Sequence, residues 1–223
     1  MTGDNQRPPP RRPVVIAIAG GSGTGKSTLA AALCAALENM VPVVLAQDHY
    51  FRDFAEYDRT ERERVRTANH PDAMNWPEFH QALEQLACGG SVEQPAPGTR
   101  PRARGDSPRT LGPAGLVMVE GLFALWDERC RARADLRLYT EVADDERVLR
   151  RVYRDVHERG GTVDSVVSWY RRDVRPNFDR FTAASKEHAD LVVPTERHNQ
   201  TAIDALCDTI LAIADRRDAA GRP

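Results

Sequence analysis

A glycine-rich stretch near the start of the sequence has the residue types and spacing of a phosphate-binding loop. Residues 20–27 read GGSGTGKS and fit the pattern G-x-x-x-x-G-K-[ST], between an apolar run at 14–19 and a helical pattern from residue 28. Glycines let the backbone wrap closely around a phosphate, and the N–H groups point inward at the positive end of a helix. A loop that only turns a strand into a helix would not need every fixed position of this pattern.

Two side chains of this loop have specific tasks in the pattern. Lys26 would reach the β- and γ-phosphates of a nucleotide, and the Ser27 hydroxyl would bind Mg²⁺, a hard cation that prefers oxygen ligands. The predicted nucleotide-binding residues of the loop are Gly20, Gly21, Ser22, Gly23, Thr24, Gly25, Lys26, Ser27 and Thr28.

Two acidic residues lie at the ends of other apolar runs. Asp48 follows the run at 41–46, and Glu120 closes the run that starts at residue 116. Open α/β sheets bind ligands at the carboxyl ends of their parallel strands, so both positions are informative. Glu120 would hold the Mg²⁺ shell through water. The alternative is an acid that caps the following helix or is simply solvated.

Four arginines have the spacing of one helix face within a predicted helix at 144–159. They occupy positions i, i+3, i+4 and i+7, and like charges at this spacing repel. A bound anion such as a triphosphate would relieve the repulsion. The alternative is a solvated face neutralised by the acids at 144–146 and 155. The glycines at 160–161 would end the helix and act as the hinge of a closing lid. The four arginines are Arg147, Arg150, Arg151 and Arg154.

The composition bounds the class of protein. A chain of 223 residues with a hydrophobic fraction of 41% has room for one α/β domain, and a net charge of −2 gives no general field for nucleic acid or membranes. No apolar run approaches the roughly 20 residues of a membrane-spanning helix. The polar, proline-rich start has no hydrophobic signal core, so we expect a cytoplasmic protein. The four cysteines are scattered, which favours buried or half-buried residues over a zinc site or disulfides.

Apolar runs that alternate with helical patterns predict a five-stranded parallel sheet with helices on both faces. Helices are predicted at 77–88 and 201–216. The segment 89–113 is rich in Pro, Gly and Arg and is either a hairpin-like excursion or a flexible loop, and its length suggests a function. The predicted strands lie at 14–19, 41–46, 116–121, 136–142 and 190–194.

Several motifs in order resemble the uridine kinase and phosphoribulokinase family of P-loop kinases from about residue 14 to 212. The resemblance implies ATP and Mg²⁺ as cofactors, a small-molecule acceptor, and a homo-oligomer. It implies one kinase domain at 14–216, with a lid at 144–161 and an acceptor-side excursion at 89–113. The lack of apolar periodicity at 1–13 predicts a disordered tail before this domain, and a polar tail is predicted at 217–223. The motifs are IAIAGGSGTGKST, VVLAQDHYF, NHPDAMNW, LVMVEGLFAL, RRVYRDVHERG, RRDVRPNFDRF and KEHADLVVP.

The resemblance also implies roles for single residues. Asp48 would accept the proton of the acceptor's hydroxyl and help to hold Mg²⁺, with Glu120 in the same metal shell. Asp72 would hold the hydroxyls of the acceptor's sugar. The segment 194–199, including Asn199, would lie near the adenine. The lid arginines that would bind phosphate are Arg151, Arg154 and Arg159, with Arg151 also reaching the acceptor.

The sequence departs from the family's pattern on the acceptor side. Uridine kinases have a Tyr-x-Tyr pattern and then a histidine that contact the pyrimidine, where this chain has residues 97–99 (PGT) and then Arg102. Trp169 stands in place of a glutamine, Phe51 in place of a tyrosine, and Gly161 in place of an arginine. Arg102 and Trp169 are therefore candidate acceptor-binding residues. The other arginines at 100, 104 and 109 indicate either an anionic acceptor or a solvated loop.

The sequence thus predicts an ATP-dependent kinase for a small-molecule hydroxyl, with the 5′-hydroxyl of uridine or cytidine as the first hypothesis. A modified nucleoside, a non-nucleoside ribosyl compound or a sugar phosphate are alternatives within the same family. A nucleotide-driven switch belongs to another class, and the sequence has neither an N-K-x-D motif nor an L-S-G-G signature.

Overall fold

A parallel β-sheet forms the centre of the protein. The computed structural model describes residues 12–65 and 67–220. Five strands pair in parallel in the order β2-β5-β1-β6-β7, and β3 and β4 form a separate antiparallel pair. The sheet confirms the five predicted strands. The strands are β1 (Val14–Gly20), β2 (Pro42–Ala46), β3 (Val92–Gln94), β4 (Arg109–Leu111), β5 (Leu116–Glu120), β6 (Leu136–Glu141) and β7 (Leu191–Pro194).

Helices cover both faces of the sheet. The α-helices are α1 (Lys26–Ala36), α2 (Arg59–Val65), α3 (Trp76–Ala87), α4 (Arg100–Arg104), α5 (Glu128–Arg133), α6 (Asp144–His157), α7 (Val163–Trp169), α8 (Arg175–Asn177) and α9 (Gln200–Ala220). Short 3₁₀ turns lie at Glu38–Met40, Gln47–Tyr50, Pro71–Ala73 and Ala184–His188, and π-helical turns at Tyr170–Val174 and Phe178–Ala183 flank α8.

Strand β1 is buried along its whole length because it separates two hydrophobic layers. Its alternate residues belong to different clusters, as the two-residue period of a strand requires. Val15, Ala17 and Ala19 pack in the cluster that contains α3, and the intervening residues pack in the cluster that contains α1 and α9. This arrangement fixes the loop that follows β1 at the carboxyl edge of the sheet.

The excursion at 89–113 is a hairpin that packs on the loop after β2. Strands β3 and β4 pair from Val92 opposite Leu111 to Gln94 opposite Arg109. The Arg100 N–H donates to the carbonyl of Phe51 at 2.9 Å. Of the two interpretations of this segment, the hairpin is therefore the one that the structure contains.

Two sequence expectations need correction, and a third concerns residues that the structure does not describe. Helix α9 extends to Ala220 rather than ending at residue 216, and Arg217, placed in the predicted tail, donates to the carbonyl of Pro13 at 2.6 Å. Cys88 is exposed, against the expectation of a buried or half-buried residue. Residues 1–11 of the predicted disordered tail and residues 221–223 lie outside the described residues. Within the described ranges, no helix has the length and apolar character to cross a membrane.

Candidate active site

The glycine-rich loop connects β1 to α1 in close contact with the end of β6. A Cβ on Gly20 would lie 2.3 Å from the Thr140 hydroxyl oxygen and 2.6 Å from the Thr140 carbonyl oxygen, and its φ is +145°. Only glycine fits this position, because the space and the backbone angle both exclude a side chain. The Lys26 Nζ donates to the Gly21 carbonyl oxygen at 2.9 Å, across the concave side of the loop.

Two threonines from distant parts of the chain form hydrogen-bonding contacts with the loop. The Thr140 hydroxyl lies 2.7 Å from that of Thr24, which is buried and donates to the Gly21 carbonyl at 2.8 Å. The Thr195 hydroxyl approaches the Thr24 carbonyl at 2.6 Å. These contacts fix the conformation of the loop, as expected of a preorganised phosphate site.

Lys26 and two carboxylates form the charged centre of the site. Lys26 is only 8% exposed, and burial lowers its pKa, although Glu120 and Asp48 oppose this shift. Burial raises the pKa of Glu120, and Asp48 adds to the increase, while Lys26 and a hydrogen bond from Ser27 oppose it. The two acids therefore lie close enough to repel each other, and a cation between them would relieve the repulsion.

The oxygen atoms at this centre fit Mg²⁺. Ser27 offers a hydroxyl, and Asp48 and Glu120 offer carboxylates, the donors that this cation prefers. One or two carboxylates are the usual protein contribution when phosphates and waters complete the shell. In the parts of the chain that the structure describes, no cluster of three or more His, Cys, Asp or Glu side chains is arranged to hold a metal.

Helix α6 lies directly over the glycine-rich loop. A Cβ on Gly23 would lie 2.7 Å from the Arg147 carbonyl oxygen, so a side chain there would push the helix away. Arg154 Nη2 donates to the Ser22 hydroxyl oxygen at 3.0 Å. Arg147 is 4% exposed, and its guanidinium carbon lies 3.7 Å from the centre of the Phe178 ring. The predicted lid thus contacts the loop it was expected to cover.

The arginines of α6 are paired with acids of the same helix. Arg147 donates to Asp144 at 3.0 Å, and Arg150 donates to Glu146 at 2.6 Å. Arg150 also donates to the carbonyls of Thr195 at 3.0 Å and Glu196 at 2.8 Å, which joins α6 to the loop after β7. The solvated-face alternative is thus correct about ion pairing for these two arginines.

Asp155 gathers three further arginines. Its carboxylate lies 3.3 Å from Arg151 Nε, 3.0 Å from Arg154 Nη2 and 3.2 Å from Arg159 Nη1. The Arg151 Nε is buried and makes no hydrogen bond within the described residues. Burial lowers the pKa of Arg151, although Asp155 opposes the shift. One carboxylate cannot neutralise three guanidinium groups, so this cluster keeps a net positive charge for an anion.

A cavity of about 1390 Å³ joins the loop to the acceptor-side hairpin. Its donor end is lined by the loop, by Glu120 and by the arginines at 150, 151, 154 and 159. Asp48 also lines the cavity, is exposed, and lies near enough to Lys26 and Glu120 to affect their pKa values. The far end is lined by His49, Phe51, Asn69, Arg100 and Arg104. One cavity of this form can hold a nucleotide and a second molecule together.

Comparisons with known proteins agree with this geometry. The chain matches the Phosphoribulokinase / Uridine kinase family over residues 15–202. It is 36% identical to a uridine kinase of Lactiplantibacillus plantarum over 203 residues, which cover 91% of this chain and 97% of that relative. The chain belongs to the phosphoribulokinase and uridine kinase family. A uridine kinase of Clostridium tetani is 31% identical over 93% of this chain and 99% of its own length.

Solved structures show the same fold. A putative fructose transport system kinase from Silicibacter sp. TM1040 superposes with a TM-score of 0.62 at 24% identity, covering 86% of this chain and 93% of that one. Phosphoribulokinase from Rhodobacter spheroides superposes with a TM-score of 0.59 at 18% identity, covering 82% and 70%. The family relationship makes this protein an ATP-dependent phosphotransferase with an alcohol group as acceptor.

Four residues predicted from the comparison with the family's pattern do not line the cavity. Of the described residues that line it, none is Asp72, Arg102, Trp169 or Asn199. The Asp72 side chain is 89% exposed and lies 3.4 Å from His70 Nδ1. Arg102 is exposed, and Trp169 packs under the Arg172 guanidinium at 5.0 Å. Asn199 accepts a hydrogen bond from the Ala202 N–H at 3.1 Å near the start of α9. Their roles stay predictions.

Other residues of this kinase's site were missed in the sequence. Thr140 holds the loop but belongs to no motif that marks it. Thr195 lies in the segment 194–199, for which a place near the adenine was predicted rather than a contact with the loop. His49 and Asn69 also line the cavity, although the motifs that contain them led to predictions only for Asp48 and Asp72. Asp173, in the π-helical turn before α8, accepts hydrogen bonds from Thr67 at 3.0 Å and from Asn69. π-helical turns are frequent at functional sites, but no pattern in this sequence predicts them.

Proposed function

We propose that this kinase transfers the γ-phosphoryl group of ATP to the 5′-hydroxyl of a pyrimidine nucleoside, uridine or cytidine. The observation that supports it most is the position of Asp48, which is exposed to the cavity between the phosphate-binding loop and the hairpin. The relatives named uridine kinase, at 31% and 36% identity over more than nine-tenths of the chain, supply the acceptor class.

Each end of the cavity has a part in the transfer. Lys26 and the loop N–H groups hold the β- and γ-phosphates, and the arginines around Asp155 neutralise charge on the transferred group. Asp48 accepts the proton that leaves the acceptor's hydroxyl as the new P–O bond forms. Ser27, Asp48 and Glu120 would hold Mg²⁺, directly or through water, and the cation would supply positive charge to the phosphates.

The far end of the cavity suits a flat, neutral molecule. The Arg100 guanidinium carbon lies over the Phe51 ring, 5.2 Å from its centre, so a guanidinium group and an aromatic ring meet there. Such surfaces pack well against a nucleobase. The contact supports a nucleoside more than a sugar without a base.

A sugar phosphate is the second candidate, because two arginines line the same end. Their hydrogen bonds argue against it. Arg100 donates to the carbonyls of Arg52 and Thr67, and Arg104 forms a 2.8 Å ion pair with Asp106. A site built for a phosphate would instead direct its guanidinium groups at the ligand.

The test is acceptor-dependent release of ADP from Mg²⁺-ATP, with the product identified by mass. The panel contains uridine, cytidine, adenosine, ribulose 5-phosphate and fructose, and Lys26→Ala is the matched control for contaminating kinases. We expect release above background with uridine or cytidine. Release that occurs only with another member of the panel would overturn the proposal.

Two further proposals follow from the family resemblance. We propose a homo-oligomer, which light scattering during gel filtration tests directly. We also propose that the protein acts in the cytoplasm on small molecules rather than on nucleic acid or membranes. A purely monomeric protein, or one that cofractionates with membranes, would contradict them.

A further inference from the structure

His49 occupies an unusual place beside the reacting group. It follows Asp48 in the 3₁₀ turn Gln47–Tyr50, and its half-buried ring lines the acceptor end of the cavity. Its Nδ1 lies 2.9 Å from Arg109 Nη2 on strand β4. Asp48 and His49 thus line the same cavity, so one acceptor molecule can contact both.

A chain of hydrogen bonds fixes the partner of His49. The Nε and Nη2 atoms of Arg109 both donate to Gln94 Oε1, at 3.2 and 2.9 Å. Gln94 is 3% exposed, and its Nε2 donates to the Tyr50 hydroxyl at 3.0 Å. Tyr50 is 1% exposed in the core beneath the turn. The exposed Arg109 is therefore tied to a buried glutamine, which the buried Tyr50 holds in turn.

The contact decides which nitrogen of His49 carries the proton. A guanidinium group can only donate hydrogen bonds, so Nδ1 accepts and the ring proton lies on Nε2. Within the described part of the chain, Nε2 makes no hydrogen bond with the protein. The ring therefore presents one N–H donor in a fixed tautomer, held by a residue that does not itself line the cavity.

We propose that His49 determines acceptor specificity by donating a hydrogen bond from Nε2 to a carbonyl oxygen of the base. Arg109 is a positioning residue that acts through the ring. The inference rests on the proposed function and identifies which part of a pyrimidine nucleoside is recognised. A fixed neutral donor matches the lone pairs of the C2 carbonyl, present in uridine and cytidine, or of the C4 carbonyl, present in uridine alone.

The test compares the wild-type enzyme and His49→Phe on uridine and on two analogues in which the C2 or the C4 carbonyl is replaced by hydrogen. Phenylalanine keeps a ring in the cavity and removes the donor. In the wild type, loss of the contacted carbonyl should lower kcat/KM about tenfold, the contribution of one hydrogen bond. In His49→Phe the same loss should have no effect, while the KM for uridine rises about tenfold and the KM for ATP stays unchanged.

Further variants separate recognition from folding. His49→Gln keeps an N–H donor and should restore part of the discrimination. Arg109→Gln should reduce it, because the ring is no longer held. Thr110→Ala, an exposed change on the same strand, is the matched control and should behave as the wild type. Thermal unfolding of each variant checks the fold, and the glutamine variants carry the comparison if His49→Phe does not fold.

The outcomes distinguish the two claims. A wild-type enzyme that phosphorylates neither uridine nor cytidine overturns the proposed function itself. A wild-type enzyme that phosphorylates uridine, together with a His49→Phe variant that discriminates among the three substrates equally well, overturns only the role of His49.

Discussion

The donor and acceptor ends of the cavity are built in different ways. The donor end is built around a continuous motif in which Gly20 and Gly23 leave no room for side chains and the lysine is buried. The acceptor end is assembled from a hairpin and two loops, and several of its arginines are tied to backbone carbonyls or acids. Geometry for phosphate is thus fixed by tight packing, whereas the choice of acceptor depends on a few polar side chains. Asp48 belongs to both ends.

The largest expected effect is that of replacing Asp48, the residue shared by the two ends. Asp48→Asn should keep ATP binding but lower kcat by about 100-fold or more, the contribution of a positioned general base. The measurement is steady-state ADP release together with the affinity for ATP. Near-normal turnover would show that Asp48 is not the general base and would contradict its role at both ends of the cavity.

The contrast in packing predicts different costs for two glycines. Gly20→Ala should reduce the free energy of unfolding by about 3 kcal/mol, because the new methyl group meets Thr140 in a strained backbone. Gly105→Ala, in the hairpin, also has a positive φ of +79° but has no atom within 4 Å of the new carbon. It should cost about 1 kcal/mol. Equal losses in urea denaturation would contradict the contrast.

The lid gives a moderate effect on the donor end alone. Asp155→Asn removes the shared partner of three arginines and should lower kcat about tenfold, because the guanidinium groups lose their alignment. The KM of the acceptor should change little. Glu146→Gln, which releases only Arg150, is the control. A change confined to the KM of the acceptor would show that Asp155 acts on acceptor binding and would contradict its assignment to the donor end.

The smallest effect tests the acceptor end. Arg104→Gln should change the KM of uridine by less than about threefold, since this exposed arginine is paired with Asp106 and exposed ion pairs contribute little. Steady-state kinetics at constant Mg²⁺-ATP measure it. A tenfold or larger rise would show that the arginine binds the acceptor and would favour an anionic substrate.

The glycine-rich loop of the donor end was predictable from the sequence because its residues are neighbours in the chain. The run at 14–19 and the pattern ending in Ser27 define a strand, a loop and a helix without any long-range information. The five strands were also accessible, since buried parallel strands are continuous apolar runs. Motif spacing and hydrophobic periodicity were enough to predict those features that depend only on neighbouring residues.

The remaining parts depend on contacts between distant segments. Thr24 meets Thr140 across 116 residues, and His49 meets Arg109 across 60. Neither partner has a distinctive neighbourhood, so sequence patterns could not pair them. The three-way pairing of Asp155 is local, yet it depends on side-chain orientation rather than on helical spacing. Side-chain orientation also explains why Asp72 belongs to a family motif and yet does not line the cavity.

The most direct test is a crystal structure with uridine, Mg²⁺ and a non-hydrolysable ATP analogue bound together. We expect the triphosphate in the glycine-rich loop, the 5′-oxygen of uridine within hydrogen-bonding distance of Asp48, and the base beside His49 and Phe51. Uridine bound away from Asp48, against Arg102 or Trp169 with its 5′-oxygen far from the γ-phosphate, would contradict the account.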